Sequence, residues 1–481
     1  MSRVLGAIAA HAEAKPDAVA LSGLDQAFTY AELALAIEDA AAQLAGLAHL
    51  KAPDAPVAVV LENGPAWVIL DLALVRLGWP SLPIPGFFTP AQRDHAVADS
   101  GAGLLISAED AGAQLRIAGT DLTATPLAGG APRLPAGTAK ITYTSGSTGQ
   151  PKGVCLSQDQ MEAVAASLVE MIGADYAGLH LPLLPLSILL ENVAGLYATL
   201  IGGGCYHVLP PAALGLDNPF RPDLARLTAA IAGEGATSLI LVPELLRALL
   251  MVMSFTGARF PNLNLVAVGG AKVAPQLLVQ AQALGLPVYE GYGLSECASV
   301  VTLNTPSAHQ TGAAGRPLPH LRVEIDADGE IIVSPRPFLG YAGGEPALGP
   351  VRTGDLGRFD AEGFLHIDGR RANTIINAYG RNIAPEWVES ELLAQAEIRQ
   401  AIVFGEGQAE LGALLVPLAP DMAAADLEAA VQRANRNLPA YAQIGRWQVR
   451  APFDPAAGEL TGNGRPRRAV LLAHPFVEAQ A

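Results

Sequence analysis

Cysteine is scarce in this 481-residue chain: Cys155, Cys205 and Cys297 are all there are, and no two stand at a short paired spacing. That excludes a disulfide framework and a thiolate zinc site, fits a reducing compartment, and leaves the three as expected buried fillers. Positive charge is scarce as well, with 30 Lys and Arg against 46 Asp and Glu and a formal net charge of −16. Such a surface offers no basic face to nucleic acid and is repelled by an anionic membrane, so neither is an expected partner. Charged residues make up only 16% of the chain and hydrophobic ones 51%, which excludes disorder. The apolar run from Leu179 to Cys205 is long enough to suggest a membrane span, but Pro182, Pro185, Glu191, Asn192 and the glycines at 202–204 interrupt it. It reads as a buried strand, turn and helix, and no integral membrane segment is expected. At the N-terminus, "MSRVLGAIAAHAEAKPDAV" carries His11, Glu13, Lys15 and Asp17 directly behind a short apolar stretch. A soluble helix is expected there, not a signal peptide, and with it a cytoplasmic location.

What is present is length and alternation. The chain exceeds what one hydrophobic core usually supports, so at least two domains are expected. Over the first three hundred residues or so, short β-branched runs lead into alanine-rich amphipathic segments: "PVAVVLEN" into "PAWVILDLALVRLG", "GLLIS" into "EDAGAQL", "TSLILVP" into "ELLRALLMVMSF", "NLNLVAVGG" into "PQLLVQAQALG". That order predicts parallel βαβ layers, an α/β fold. From Gly315 to Asp368, short strands separated by "DADG" and "DAEG" predict antiparallel hairpins. The segment 370–481 carries two helices, "PEWVESELLAQA" and "AADLEAAVQRANRNL", and two strands, "RQAIVFGE" and "LGALLVPLA", enough for a small α+β domain. The boundary is placed at "DGRRAN", giving domains 1–369 and 370–481.

One loop carries chemistry. In "ITYTSGSTGQPKGVCLS" the residues Thr144, Ser145, Gly146, Ser147, Thr148 and Gly149 precede Lys152, between two apolar strand starts. Glycines let successive N–H groups converge on an anion, hydroxyls add donors, and the lysine supplies a point charge: a phosphate cradle. It is not the nucleoside triphosphatase P-loop, because Lys152 follows a proline, precedes a glycine, and leads into a strand.

This loop resembles the phosphate-binding signature of the adenylate-forming superfamily, which includes acyl-CoA synthetases, luciferases and peptide-synthetase adenylation domains. Further motifs stand in that family's order: "TYAEL" at 29–33, "GGA" at 269–271, "YEGYGLSE" at 289–296, "RTGDLG" at 352–357 and "GRRANTIINAYGRNIAPEWVE" at 369–389. The resemblance implies a large ATP- and acid-binding domain with a small β-barrel-like subdomain, followed by a mobile α+β lid. It implies ATP, Mg²⁺ and an acid as ligands, with CoA, an acyl carrier protein thiol or an amine as acceptor, in fatty or other acyl metabolism. A carboxylate attacks the α-phosphorus, pyrophosphate leaves, and the acceptor then displaces AMP. By the same likeness Tyr292, beside Gly293, offers a face to adenine, with Gly269, Gly270 and Ala271 small enough to admit its other face. Glu296 next to Ser295 is a hard oxygen ligand for Mg²⁺, joined by Thr148. Asp355 accepts from the ribose hydroxyls, Arg370 donates to the ribose, and Lys152 serves the phosphates.

The chain also departs from the family. In "LPLSILLENV" the aromatic or histidine gate of acyl-CoA synthetases is Ile188, followed by Leu189 and Leu190, so Ile188 and Leu189 with Gly270 are the expected acid contacts. No aspartate stands there to grip an α-amino group, which favours an apolar acid. In "GELTGNGRPRRA" the family's bridging lysine is Arg465, and no lysine replaces it nearby, because the lysines are Lys15, Lys51, Lys140, Lys152 and Lys272. The hinge residue, usually lysine or aspartate, is Ala372. Two readings follow: an active acid ligase, or a catalytically weakened relative that binds nucleotide or acyl ligand in a structural or regulatory role.

Overall fold

The computed structural model describes residues 2–109, 112–128, 133–144, 151–173, 178–218, 222–461 and 465–473. Two large sheets dominate. Among the described residues the first has nine strands, its centre formed by Leu265–Val268 and Ser238–Leu241 running parallel beside Leu179–His180, Cys205–His207 and Val19–Ser22. The second has eight, with Lys140–Thr144, Ser81–Pro83, Val57–Val60 and Leu104–Ser107 parallel at its centre and Lys152–Leu156 antiparallel to Lys140–Thr144. Of these, Val57–Val60, Leu104–Ser107, Ser238–Leu241 and Leu265–Val268 are largely buried, which is why they read as apolar runs.

Helices cover the sheets where the alternation predicts them: Pro65–Leu77, Pro243–Thr256 and Pro275–Ala283 each follow a parallel strand and open on a proline, whose missing N–H costs nothing in the first turn. Arg3–Ala14 is helical, as the N-terminal pattern predicts. Residues 322–370 form a four-stranded antiparallel sheet, Arg322–Ile325, Glu330–Ser334, Val351–Phe359 and Leu365–Arg370. Beyond it the helices Pro385–Leu393 and Ala424–Asn435 pack on a three-stranded sheet with a core of its own around Val388, Leu415 and Val431.

Three local readings change. The stretch expected as a helix after "GLLIS" contains the strand Ala113–Ile117, antiparallel to Thr120–Pro126. Buried Leu115 and Ile117 alternate with exposed Gln114 and Arg116, a period of two. Gly112 has φ +140°, and a Cβ there would lie 2.6 Å from the Ala124 carbonyl oxygen, so the chain enters this hairpin only as glycine. A further strand, Ile444–Val449, runs parallel to Leu411–Pro417. Of the three cysteines, Cys155 and Cys297 are buried, but Cys205 is half-exposed and lies 3.6 Å from the Ser22 hydroxyl.

The interrupted apolar run becomes the strand Leu179–His180, a buried π-helical turn Glu191–Tyr197, and the helix Ala198–Gly202. Two polar clusters inside the core hold that turn. Glu191 Oε1 accepts from His180 Nε2 at 3.0 Å and from the Tyr206 hydroxyl at 3.1 Å. Asn192 and Tyr197 join the buried ion pair of Lys140 with Asp71, whose Nζ to Oδ1 distance is 2.7 Å. The Lys140 and Asp71 charges are paired and hydrogen-bonded, the condition under which burial is tolerated, whereas Glu191 is bonded through Oε1 and its Oε2 has no partner among the described residues.

Candidate active site

Parallel sheets present ligands with the carboxyl ends of their strands. Here Ser238–Leu241, Leu265–Val268 and Val288–Tyr292 end in one cleft, lined by Gly269, Gly270, Ala271 and Tyr292. Asp355 enters from the antiparallel sheet, directly opposite Arg370 in the strand register. Its Oδ1 accepts from Arg370 Nε and its Oδ2 from the Tyr292 hydroxyl, each at 2.8 Å. The carboxylate expected to face ribose hydroxyls thus already has one protein donor on each oxygen, which leaves each oxygen one further acceptor direction. Burial, and after it the Asp355 charge, push the Tyr292 phenol upward, so it remains a donor. Gly293 is required where it stands: a Cβ would fall 1.8 Å from the Ser299 carbonyl oxygen.

Elsewhere in the cleft lining Thr144 ends one strand, Lys152 begins the next, and the two are paired. Ser145, Gly146, Ser147, Thr148 and Gly149, expected to cradle phosphate and, through Thr148, metal, lie outside the described residues. Glu296 sits in the short helical turn Ser295–Cys297, followed by Ala298 at φ 52° and Ser299 at φ 92°. Two non-glycine residues in that region store strain of about 1–3 kcal/mol each, as is common where a functional side chain must be aimed. The Tyr341 hydroxyl donates to Glu296 Oε1 at 2.9 Å, and Lys152 Nζ lies 5.5 Å from the centre of the same ring. Among the described residues no three His, Cys, Asp or Glu side chains form a cage for a metal. A lone carboxylate suits Mg²⁺, which keeps most of its waters and bridges substrate phosphates.

Ile188, Leu189 and Leu190 line another part of the cleft, with Ala194 and Phe338. The amide of Asn192 donates to the Ile188 carbonyl at 3.1 Å, so this wall is continuous with the turn clamped by the two buried clusters.

The C-terminal domain closes over the cleft. Arg465 donates from its guanidinium to the Gly270 carbonyl, which places it in the cleft. A reciprocal pair of hydrogen bonds with Thr461, at 2.7 Å and 2.9 Å, fixes its backbone. Ala372 lies in the turn Arg371–Asn373 just after Arg370. Arg247, on the helix Pro243–Thr256, donates to the carbonyls of Leu393, Ile398 and Arg399 at 3.0, 2.7 and 3.1 Å. Gln276 adds a bond to Glu391 at 2.8 Å. Sequence motifs give no role to Arg247 or Tyr341. Nor do they give a role to Lys272 and Glu290 in the cleft lining, where burial pushes the Glu290 carboxyl up to about 8 and pulls the Lys272 amine down.

Residues 8–337 match the AMP-binding enzyme family, and residues 372–474 match the AMP-binding enzyme C-terminal domain. The chain belongs to this family, the adenylate-forming superfamily, and its class is that of AMP-forming acid–thiol ligases. It is 27% identical over 422 residues to an oxalate–CoA ligase of Arabidopsis thaliana, covering 78% of this chain and 80% of that protein. It is 28% identical to a long-chain-fatty-acid–CoA ligase of Mycobacterium bovis over 84% of each chain. In fold it is similar to an anthranilate CoA ligase solved with anthranoyl-AMP, with a TM-score of 0.81, 16% identity, and coverage of 98% of this chain and 97% of that one. At that identity the likeness speaks for the fold alone.

Proposed function

We propose that the chain activates an apolar carboxylic acid with ATP, as acyl-AMP, and passes the acyl group to the thiol of CoA. The observation that carries this reading is Arg465: a cation from the C-terminal domain reaches the Gly270 carbonyl, in the cleft that also holds the Asp355–Arg370–Tyr292 cluster and the aliphatic wall. A protein kept only to bind ligand has no need of a cation so placed. Tyr292 and the small residues Gly269, Gly270 and Ala271 take the adenine, Asp355 and Arg370 the ribose, and Lys152 with its loop the β- and γ-phosphates. Glu296, with Thr148, holds Mg²⁺, which neutralises phosphate charge when bound. Ile188 to Leu190 take the acyl chain, and a cytoplasmic setting in acyl metabolism fits such a substrate.

In the first step a carboxylate oxygen forms a bond to the α-phosphorus while the bond to the β-phosphate bridging oxygen breaks, and pyrophosphate carries the electron pair away. The barrier is largely repulsion between anions, so Arg465 and Lys152 lower it by fixed charge and position. In the second step a thiolate bonds to the acyl carbon and AMP leaves with the former carboxylate oxygen. Pyrophosphate exchange driven by a panel of acids tests the reading. Each further methylene buried against Ile188, Leu189 and Leu190 is expected to add about 0.8 kcal/mol to transition-state binding until the pocket ends. Medium or long chains, or a bulky apolar acid, then exceed acetate in kcat/KM; a panel led by acetate or a free α-amino acid would overturn the choice of acid.

The closed arrangement has a second consequence. Arg247 is pulled below the usual arginine range by burial and spends its donors on the lid's carbonyls. Arg247→Ala is expected to slow adenylation roughly tenfold, the value of one charge-assisted hydrogen bond, while transfer from synthetic acyl-AMP is undiminished. Single-turnover rates of the two half-reactions check this, and equal losses in both would reduce Arg247 to a structural residue.

A further inference from the structure

Tyr341 touches both charged groups on the phosphate side of the cleft. Its short strand, Gly340–Tyr341, pairs antiparallel with Lys152–Leu156, Tyr341 opposite Val154, so the ring is carried on the same sheet as Lys152. Phe338 packs edge-on against that ring, with centroids 5.2 Å apart. The hydroxyl crosses to the turn Ser295–Cys297, which extends from the other large sheet, and donates to Glu296 Oε1 at 2.9 Å. The ring face meanwhile lies 5.5 Å from Lys152 Nζ, within cation–π range.

We propose that Tyr341 is the positioning residue of the phosphate side: its hydroxyl fixes the plane of the Glu296 carboxylate for a divalent cation, and its ring holds the Lys152 ammonium beside it. The proposal rests on the reading of Glu296 as the Mg²⁺ ligand. A ligating carboxylate that keeps one oxygen on a protein donor presents the other in a defined direction, and losing such an outer partner commonly costs 10- to 100-fold in metal affinity. The ring and the hydroxyl make separable contributions. Tyr341→Phe removes only the donor to Glu296; Tyr341→Leu also removes the aromatic face from Lys152.

The test is calorimetric titration of the full chain with α,β-methylene ATP, once in EDTA and once in excess Mg²⁺, for wild type, Tyr341→Phe, Tyr341→Leu and Glu296→Gln. In Tyr341→Phe the affinity in EDTA is expected to match wild type, while the gain from Mg²⁺ falls roughly tenfold. Tyr341→Leu is expected to bind more weakly under both conditions. A packing role alone would lower Tyr341→Phe equally in EDTA and in Mg²⁺, and that result overturns the proposal. So does a full Mg²⁺ gain in Tyr341→Phe when Glu296→Gln has lost it, an outcome that leaves the metal reading of Glu296 standing. A full gain in Glu296→Gln removes that reading, and the proposal with it.

Discussion

Arg465→Ala is expected to slow single-turnover formation of acyl-adenylate by about 10²- to 10³-fold, the usual effect of removing one preorganised donor from a developing charge. Transfer from synthetic acyl-AMP should change little if the C-terminal domain turns Arg465 out of the cleft for the second step. Arginine differs from the ammonium found at this place in relatives: its guanidinium is planar, diffuse and suited to a bidentate grip, where lysine is a compact point charge on a flexible stem. The Gly270 carbonyl already takes one guanidinium nitrogen, so part of the planar head is spent on aiming the rest. Arg465→Lys is therefore expected to retain or raise the adenylation rate, provided the shorter head still reaches the α-phosphate. Equal adenylation by wild type and Arg465→Ala would make Arg465 a surface residue and remove the main support for catalysis.

The parts of the site that are legible in the sequence lie in short windows whose chemistry is local. Tyr292, Gly293 and Glu296 share one strand end and its following turn, and Asp355 and Arg370 face each other across one hairpin. What is not legible depends on contacts between distant segments. Tyr341 reaches Glu296 across 45 positions, and Arg247 reaches the Arg399 carbonyl across 152. No local spacing announces either. The strand Ala113–Ile117 reads as helix because its alternation is short and stands next to alanine and glycine, and Ile444–Val449 escapes notice because only Ile444 in it is buried. The π-helical turn at Glu191–Tyr197 is set by the two buried polar clusters, whose partners His180, Tyr206, Asp71 and Lys140 come from four other elements. Its sequence alone favours an ordinary buried helix.

Asp355→Ala is expected to weaken ATP binding by about 1–3 kcal/mol, roughly five- to 150-fold, because it orphans two donors at once in a partly desolvated cleft. Arg370 Nε and the Tyr292 hydroxyl both lose their 2.8 Å acceptor, and the tyrosine ring loses the bond that holds its orientation. Asp355→Asn separates shape from charge. An asparagine can accept from Arg370 through its oxygen and donate through its amide to the Tyr292 oxygen, since a phenol hydroxyl serves in either sense. The scaffold is then kept while the negative charge opposite Arg370 is lost, and one acceptor direction toward the ribose becomes a donor. An affinity between wild type and Asp355→Ala is expected for Asp355→Asn, with far-ultraviolet circular dichroism unchanged in both variants. Calorimetry with ATP decides the matter: an Asp355→Ala protein that is folded and binds ATP as tightly as wild type would show that this carboxylate only braces Tyr292 and Arg370, and that the ribose is held elsewhere.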